Sequence, residues 1–134
     1  MSPGLSVQQA ARAALLARGS LTALLGGGHI FDEVPRGANP PYAVITGVET
    51  RDWSVADQKA HEHFISIEVI SNSRSRALAQ NIASEIELTL DNAALSLSGH
   101  TLVNLRVIFS NVTKSPSTSN YGASLRFRAA TEPL

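Results

Sequence analysis

The closely spaced histidines of this chain are His61 and His63, in the segment KAHEHFISIEVIS. On a strand, His-x-His spacing places both imidazoles on one face, where they could serve as two metal ligands. A zinc site needs three or four ligands, and the two remaining histidines, His29 and His100, lie in no recognisable ligand motif. We therefore favour a structural role at the start of a strand, where helical cover ends and the pair can titrate near neutral pH. A small metal-binding enzyme that uses His61 and His63 is the alternative.

Other catalytic chemistry finds no support in the sequence. Cysteine is absent, which excludes disulfides, thiolate metal sites and cysteine nucleophiles. The glycine-rich stretch GGGHIF lacks the lysine and the following Ser or Thr of a phosphate-binding loop, and it follows a predicted helix rather than a strand. No G-x-S-x-G motif is present for a serine nucleophile. We therefore predict a protein without enzymatic activity and without a cofactor.

Length and charge restrict the function classes further. The chain has 134 residues, enough for one domain over residues 1–134, and its 11 basic and 11 acidic residues give a formal net charge of zero. Such a balance provides no overall attraction to nucleic acid or to anionic lipid. The longest apolar stretches fall short of the ~20 residues that cross a bilayer, and the N-terminus lacks the pattern of a signal peptide. We expect a cytoplasmic protein with no membrane contact.

Hydrophobic periodicity predicts two main helices, over residues 6–18 and 74–90, with a short helical turn over residues 21–25. The expected N-caps are Ser20 for the short turn and Ser71 or Ser73 for the second main helix. Extended segments are predicted at residues 29–34, 42–51, 59–71, 101–112 and 121–130. The order α-β-β-β-α-β-β indicates an α+β fold: a single domain with a mostly antiparallel sheet of four to five strands and two helices on one face.

Strand alternation assigns side chains to the two faces of the sheet. The inward residues are Ile65, Ile67 and Val69 on the third strand, Val103, Leu105, Val107 and Phe109 on the fourth, and Tyr121, Ala123, Leu125, Phe127 and Ala129 on the fifth. The opposite surface, which we call the mixed face, combines apolar with charged side chains. Its principal residues are Glu62, Phe64, Glu68, Arg106, Arg126 and Arg128.

Two interpretations of the mixed face are equally consistent with the sequence. Apolar and oppositely charged side chains together are typical of a protein contact surface. Alternatively, Glu62 and Glu68 simply pair with Arg126 and Arg128 across neighbouring strands, and each pair contributes less than about 1 kcal/mol. The polar tips of the two predicted hairpins are further candidates for partner contact, and we expect Trp53, in the first of them, to be a contact residue unless the tip folds back and buries it. The tip residues are Asp52, Trp53, Asp57, Lys59, Lys114 and Asn120.

Several segments, taken in order, resemble a known family. They are HIFDEVPRGANPPYAVITG, HEHFISIEVIS, RALAQNIASEIELTL, LSLSGHTLVNLRV and SLRFRAATE. The chain resembles the tail-completion family of long-tailed phages and, more narrowly, the tail terminator of gene transfer agents, the phage-like particles of alphaproteobacteria. The resemblance extends from the first predicted helix to Glu132.

This resemblance implies a structural protein whose one domain forms a six-membered ring. Such a ring caps the finished tail tube, stops its polymerisation and joins the tail to the head-tail connector or stopper protein, while DNA passes through the lumen without sequence preference. The implied location is the head-tail junction of a particle assembled in the bacterial cytoplasm. The family carries no catalytic or metal-binding residues that could be transferred to this chain. A ligand-binding or regulatory α+β domain unrelated to particles is a further alternative.

Overall fold

The computed structural model describes residues 1–134, which form three helices and one five-stranded sheet. The helices are α1 (Pro3–Leu16), α2 (Gly19–Leu25) and α3 (Arg76–Leu90). The strands are β1 (Ile30–Phe31), β2 (Tyr42–Asp52), β3 (His61–Ile70), β4 (His100–Lys114) and β5 (Tyr121–Pro133). The predicted α+β fold is therefore confirmed, with a third helix because the short turn after α1 is a helix of seven residues.

The strands lie in the order β1-β2-β3-β5-β4. Only β1 runs parallel to its neighbour, β2, and the other three pairings are antiparallel. Two long hairpins, β2–β3 and β4–β5, thus supply most of the sheet, and the β3–β5 pairing joins them. The outer edges of the sheet, which we call its margins, are formed by β4 on one side and by β2 on the other, since β1 pairs with only two residues of β2.

The helix ends follow local side-chain chemistry. Ser2 caps α1, since its hydroxyl accepts from the N–H of Leu5 and Pro3 occupies the first turn. Gly26, at φ 78°, ends α2 in the left-handed conformation. Ser75, rather than Ser71 or Ser73, is the N-cap of α3 and accepts from the N–H of Ala77.

The other predicted caps were wrong because the polar side chains have different partners. Ser20 lies inside α2, whose N-cap Arg18 makes no side-chain capping bond. Its hydroxyl instead donates to Glu85 of α3 at 2.7 Å, and Arg18 binds the same carboxylate at 2.9 Å. Ser71 is buried and donates to the carbonyl of Tyr121. Thus each serine joins two elements of the fold.

All three helices pack on one face of the sheet and form a single core with it. The helical contribution repeats every third or fourth residue, as a buried stripe requires. The buried helix residues of this core include Val7, Ala11, Leu15, Leu21, Leu25, Ile82, Ile86 and Leu90, and they meet Ile65, Ile67, Val69, Leu105, Leu125 and Phe127 of the strands. None of the helices is long and apolar enough to span a membrane.

Strand β4 departs from the predicted alternation. Two β-bulges, between Leu102 and Asn104 and between Val107 and Phe109, each shift the register by one residue. As a result Val103 and Phe109, which were predicted to face the core, are 45% and 51% exposed. Leu102 packs against the core in place of Val103. The inward assignments on β3 and at Leu105, Val107, Ala123, Leu125, Phe127 and Ala129 agree with the structure.

Candidate functional site

The mixed face is the side of the sheet that no helix covers. It is built from alternate residues of β3 and β5, with additions from β2 and β4 that the strand pairing brings level with them. Phe64 lies opposite Glu49 on one side and Arg128 on the other, and Glu62 lies opposite Arg51. The predicted face is thus extended by two charged residues of β2 that the sequence analysis had not assigned.

Phe64 is the centre of a cation–π cluster. The guanidinium carbons of Arg51 and Arg126 lie 5.3 and 5.0 Å from its ring centroid. Both arginines also bind Glu49, at 2.8 Å for Arg51 and 3.4 Å for Arg126. The hydrogen bond from Arg51, and then its charge, lower the pKa of Glu49 below its usual value. One aromatic ring and one carboxylate therefore hold two exposed guanidinium groups in place.

Arg128 forms a second cluster beside the first. Its Nε donates to Glu62 at 2.8 Å, and its guanidinium carbon lies 4.9 Å from the centroid of Trp53. Trp53 is 44% exposed, so the contact leaves much of the indole open to solvent. This arginine links the mixed face to the tip of the β2–β3 hairpin. The predicted loop residue Trp53 and the predicted face residue Arg128 consequently belong to one surface.

The alternative interpretation of the mixed face, in which Glu62 and Glu68 pair with Arg126 and Arg128, is only partly present in the structure. Glu62 does pair with Arg128, whereas Arg126 binds Glu49 of β2. Glu68 instead accepts from the hydroxyl of Ser124 at 2.7 Å. Arg106 is exposed and forms no ion pair within the chain, so its charge is available to a neighbour.

Phe109 is a further mixed-face residue that sequence reasoning missed. The second bulge of β4 rotates it outward, where it lies opposite Arg126. The extra residue of the bulge, Ile108, is 50% exposed. The only signal in the sequence is the run VIF, in which three apolar residues in succession cannot all face the core of a regular strand. Alternation alone could not identify which of the three points outward.

The two hairpin tips lie at opposite ends of the sheet. Asp52 is paired with His61 at one end, and Lys114 is paired with Tyr121 at the other. In the first tip Asp52 accepts from the N–H and the hydroxyl of Ser54, which lowers its pKa. The structure therefore separates the predicted contact residues Asp52, Trp53, Asp57 and Lys59 from Lys114 and Asn120.

His63 is buried, contrary to the expectation that helical cover ends before it. Its Nδ1 and Nε2 lie 2.9 Å from the hydroxyls of Thr50 and Thr131, so neither ring nitrogen is free for a metal ion. Burial lowers its pKa to about 4, which contradicts the expected titration near neutral pH. The ring of His61 lies 6.3 Å away. The interpretation as a metal-binding enzyme thereby loses one of its two ligands.

A sheet with one covered face and one structured, charged, uncovered face is typical of a protein that acts through contacts rather than through a cavity. Comparison with known proteins agrees with this class. The family model described as "Tail completion protein gp17" matches residues 9–132. The chain therefore belongs to the tail completion protein gp17 family, as the resemblance in its sequence had indicated.

A solved structure gives the same relationship in three dimensions. The chain is similar to a component of the "Virion of native gene transfer agent (GTA) particle", with a TM-score of 0.88 and 26% sequence identity. The match covers 98% of this chain and 99% of that component, so nearly every element described above has a counterpart. No curated protein sequence matches this chain. The predicted likeness to a gene transfer agent component is thus confirmed.

Proposed function

We propose that this chain is a structural component of a phage-like particle, a tail terminator located at the head-tail junction. The observation that carries this proposal is the near-complete similarity to a component of a gene transfer agent virion, and membership of the tail completion family supports it. In this role residues 1–134 form one terminator domain. Six copies form a ring that caps the tail tube, stops its polymerisation and joins it to the head-tail connector or stopper protein.

The mixed face contributes to the contacts between subunits. Its residues Glu62, Phe64, Glu68, Arg106, Arg126 and Arg128 include charges of both signs, so the same surface can complement a second copy. The clusters around Phe64 and Arg128 hold the guanidinium groups in position before binding, which reduces the entropy lost on association. Arg106, with no partner in its own chain, is the residue that most needs one from a neighbour.

The hairpin tips contact the other particle proteins. Because the tips lie at opposite ends of the sheet, one can meet the tail tube while the other meets the connector. The tip of the first hairpin presents Asp52, Trp53, Asp57 and Lys59, and an open pocket beside it is lined by Trp53, Val55, Lys59, Val103 and Glu132. The tip of the second hairpin presents Lys114 and Asn120. An exposed indole beside a pocket is a frequent anchor in protein interfaces.

The ring's lumen lets DNA pass without holding it. Densely placed lysine and arginine would bind phosphates and retain the DNA, whereas this chain has zero formal net charge. Assembly takes place in the bacterial cytoplasm.

Charge reversal at Arg126 tests the role of the mixed face. In Arg126→Glu the new carboxylate faces Glu49 across the Phe64 ring, so we expect the purified chain to remain folded but to lose its six-membered ring. Ring formation is measured by native mass spectrometry and negative-stain electron microscopy. Arg36→Glu, a matched reversal of an exposed arginine in the loop before β2, is the control and should leave the rings unchanged. Normal rings in Arg126→Glu would contradict the assignment of this face.

A further inference from the structure

On the outer margin of β4, the main-chain groups are hydrogen-bonded in the first half of the strand and left without partners in the second half. In the first half, the connection after α3 satisfies the strand: the N–H of Asn92 donates to the carbonyl of Leu105 at 2.8 Å, and Asp91 accepts from the N–H of Val107 at 3.0 Å. Beyond the second bulge no turn or loop hydrogen bond reaches the strand. Since Ser110 and Val112 pair with β5 residues that bond to β3, their own N–H and C=O groups point outward.

The margin of β2 shows the same division at the other end of the sheet. There β1 pairs with Ala43 and Val44, and the N–H of Ala43 donates to the carbonyl of His29 at 3.0 Å. The same alternation that turns Ala43 toward β1 turns Val48 and Thr50 outward, where β1 does not reach. Each chain therefore carries two short open strand margins, at residues 47–52 of β2 and 109–114 of β4.

We propose that these two margins bind each other between copies, so that β4 of one chain pairs with β2 of the next and the sheets of the ring become continuous. This inference rests on the ring proposed above and identifies how its subunits meet. Unpaired strand margins are natural sites for adding a further strand, because their main-chain groups provide the hydrogen bonds. When the outward-pointing N–H and C=O groups of the two strands bond to each other, Val48 lies opposite Val112 of the next copy and Thr50 lies opposite its Ser110.

The side chains in this register are complementary. On the helix-covered face it pairs valine with valine and threonine with serine, which are favourable cross-strand neighbours. On the mixed face it places Arg51 opposite Phe109 and Glu49 opposite Asn111. The exposed ring of Phe109 thus gains a guanidinium from the neighbouring copy, as Phe64 does within the chain. No pair in the register brings like charges together.

Strand direction and stagger also suit a closed ring. Antiparallel pairing of β4 with β2 keeps every strand of the next copy in the direction it has in the first, as rotation about one axis requires. A head-to-tail contact of this kind generates a ring when the rotation closes. Within one chain, Glu49 of β2 pairs with Phe64 of β3. Asn111 of β4 pairs with Ser124 of β5, which in turn pairs with Glu68 of β3, so Glu49 of the next copy lies four residues along the strand direction from Glu49 of the first. The next copy is therefore displaced by about 13 Å along the strands over a width of about 19 Å, from standard strand dimensions. The resulting tilt of about 35° falls at the lower end of the range for closed sheets.

Disulfide crosslinking tests the pairing, because the chain has no cysteine of its own. Glu49 and Asn111 would form a pair without mutual main-chain hydrogen bonds, the closest kind in an antiparallel ladder. The double variant Glu49→Cys with Asn111→Cys is oxidised as the purified full chain and separated on a non-reducing gel. We expect a ladder of crosslinked species up to six copies, which a reductant collapses to one band. Gly47→Cys with Thr113→Cys probes the same register two residues further along the strand.

The matched control is Glu49→Cys with Asn104→Cys, which moves the β4 cysteine into the half of the margin that Asp91 and Asn92 close, at a position outside the proposed subunit contacts. It should remain a single band. Rings that are visible by electron microscopy but not crosslinked by either test pair would overturn the margin pairing while leaving the ring itself intact. Equal crosslinking in the control would also contradict the proposed register. Absence of rings in the unsubstituted chain would count against the ring and the pairing together.

Discussion

The two faces of the sheet are made by the same strands but follow different rules. The helix-covered face is apolar, and its central residues Ile65, Ile67 and Phe127 have no solvent exposure. The mixed face keeps its side chains partly in water and organises them by ion pairs and cation–π contacts around Phe64 and Arg128. The difference indicates that stability resides in the first face, and it agrees with our proposal that the second contributes to contacts between subunits.

Truncating one phenylalanine on each face should separate these two roles most clearly. Phe127→Ala removes a fully buried ring and leaves a cavity, so we expect it to lower the free energy of unfolding by about 3–5 kcal/mol. Phe64→Ala removes a partly exposed ring with its two cation–π contacts, and the expected loss is about 1–2 kcal/mol. Urea unfolding monitored by circular dichroism measures both. Equal losses would show that the mixed face is part of the core.

Acid should weaken the helix-covered face through His63. Its folded pKa of about 4 lies below the ordinary value of 6.5, so the unfolded chain binds more protons between these two pH values. Stability from the neutral ring is complete above pH 6.5 and falls as the pH drops toward 4, by about 1.4 kcal/mol per pH unit at most and roughly 3 kcal/mol in total.

The measurement for His63 is urea unfolding at several pH values between 4 and 7. His63→Gln keeps a group that can bond to Thr50 and Thr131 but cannot titrate, and it should flatten the pH dependence in this range. His29→Gln serves as the matched control, because this exposed histidine lies outside the sheet strands and does not contribute to the lowered pKa of His63. If the slope persisted in His63→Gln, burial of this ring would not be its cause.

The ion pair between Glu62 and Arg128 should matter more for assembly than for folding. Glu62→Gln removes the charge but keeps the shape, and for a half-buried pair we expect a loss of less than about 1 kcal/mol in unfolding free energy. Ring formation should be affected more strongly than folding, because Arg128 is then held less firmly against Trp53. Native mass spectrometry at increasing salt compares the variant with the unsubstituted chain. A large fall in stability with intact rings would reverse the roles assigned to the two faces.

The smallest change in stability is expected at Arg106. This exposed side chain has no ion-pair partner within the chain, so Arg106→Ala should alter the free energy of unfolding by no more than about 0.5 kcal/mol. If the residue meets a neighbouring subunit, the concentration of chain needed to form rings should nevertheless increase. Light scattering over a dilution series measures this concentration. An unchanged midpoint would remove Arg106 from the interface.

Sequence reasoning predicted the elements well and the faces unevenly. Strand alternation identified the buried residues of β3 and β5 because those strands are regular and one of their faces is covered. On β4 it failed at Val103 and Phe109, since a bulge depends on pairing with a distant strand and leaves little local trace. The burial of His63 was missed for a similar reason: its partners, Thr50 and Thr131, lie on other strands.

The candidate site shows the same limit. The charged and aromatic composition of the mixed face was readable, and so was the pairing of Glu62 with Arg128. The role of Glu49 could not be predicted, because only the register of β2 against β3 brings this residue beside Phe64. The family relationship was accessible from the order of the segments and was confirmed by comparison.

Electron microscopy of particles made without this gene tests the central claim most directly. The source organism is examined with the gene deleted and again with the deletion complemented by the unsubstituted chain. A terminator predicts heads separated from tails and tubes of irregular length, with joined particles of normal length restored by complementation. Normal, joined particles in the deletion strain would contradict the proposed function.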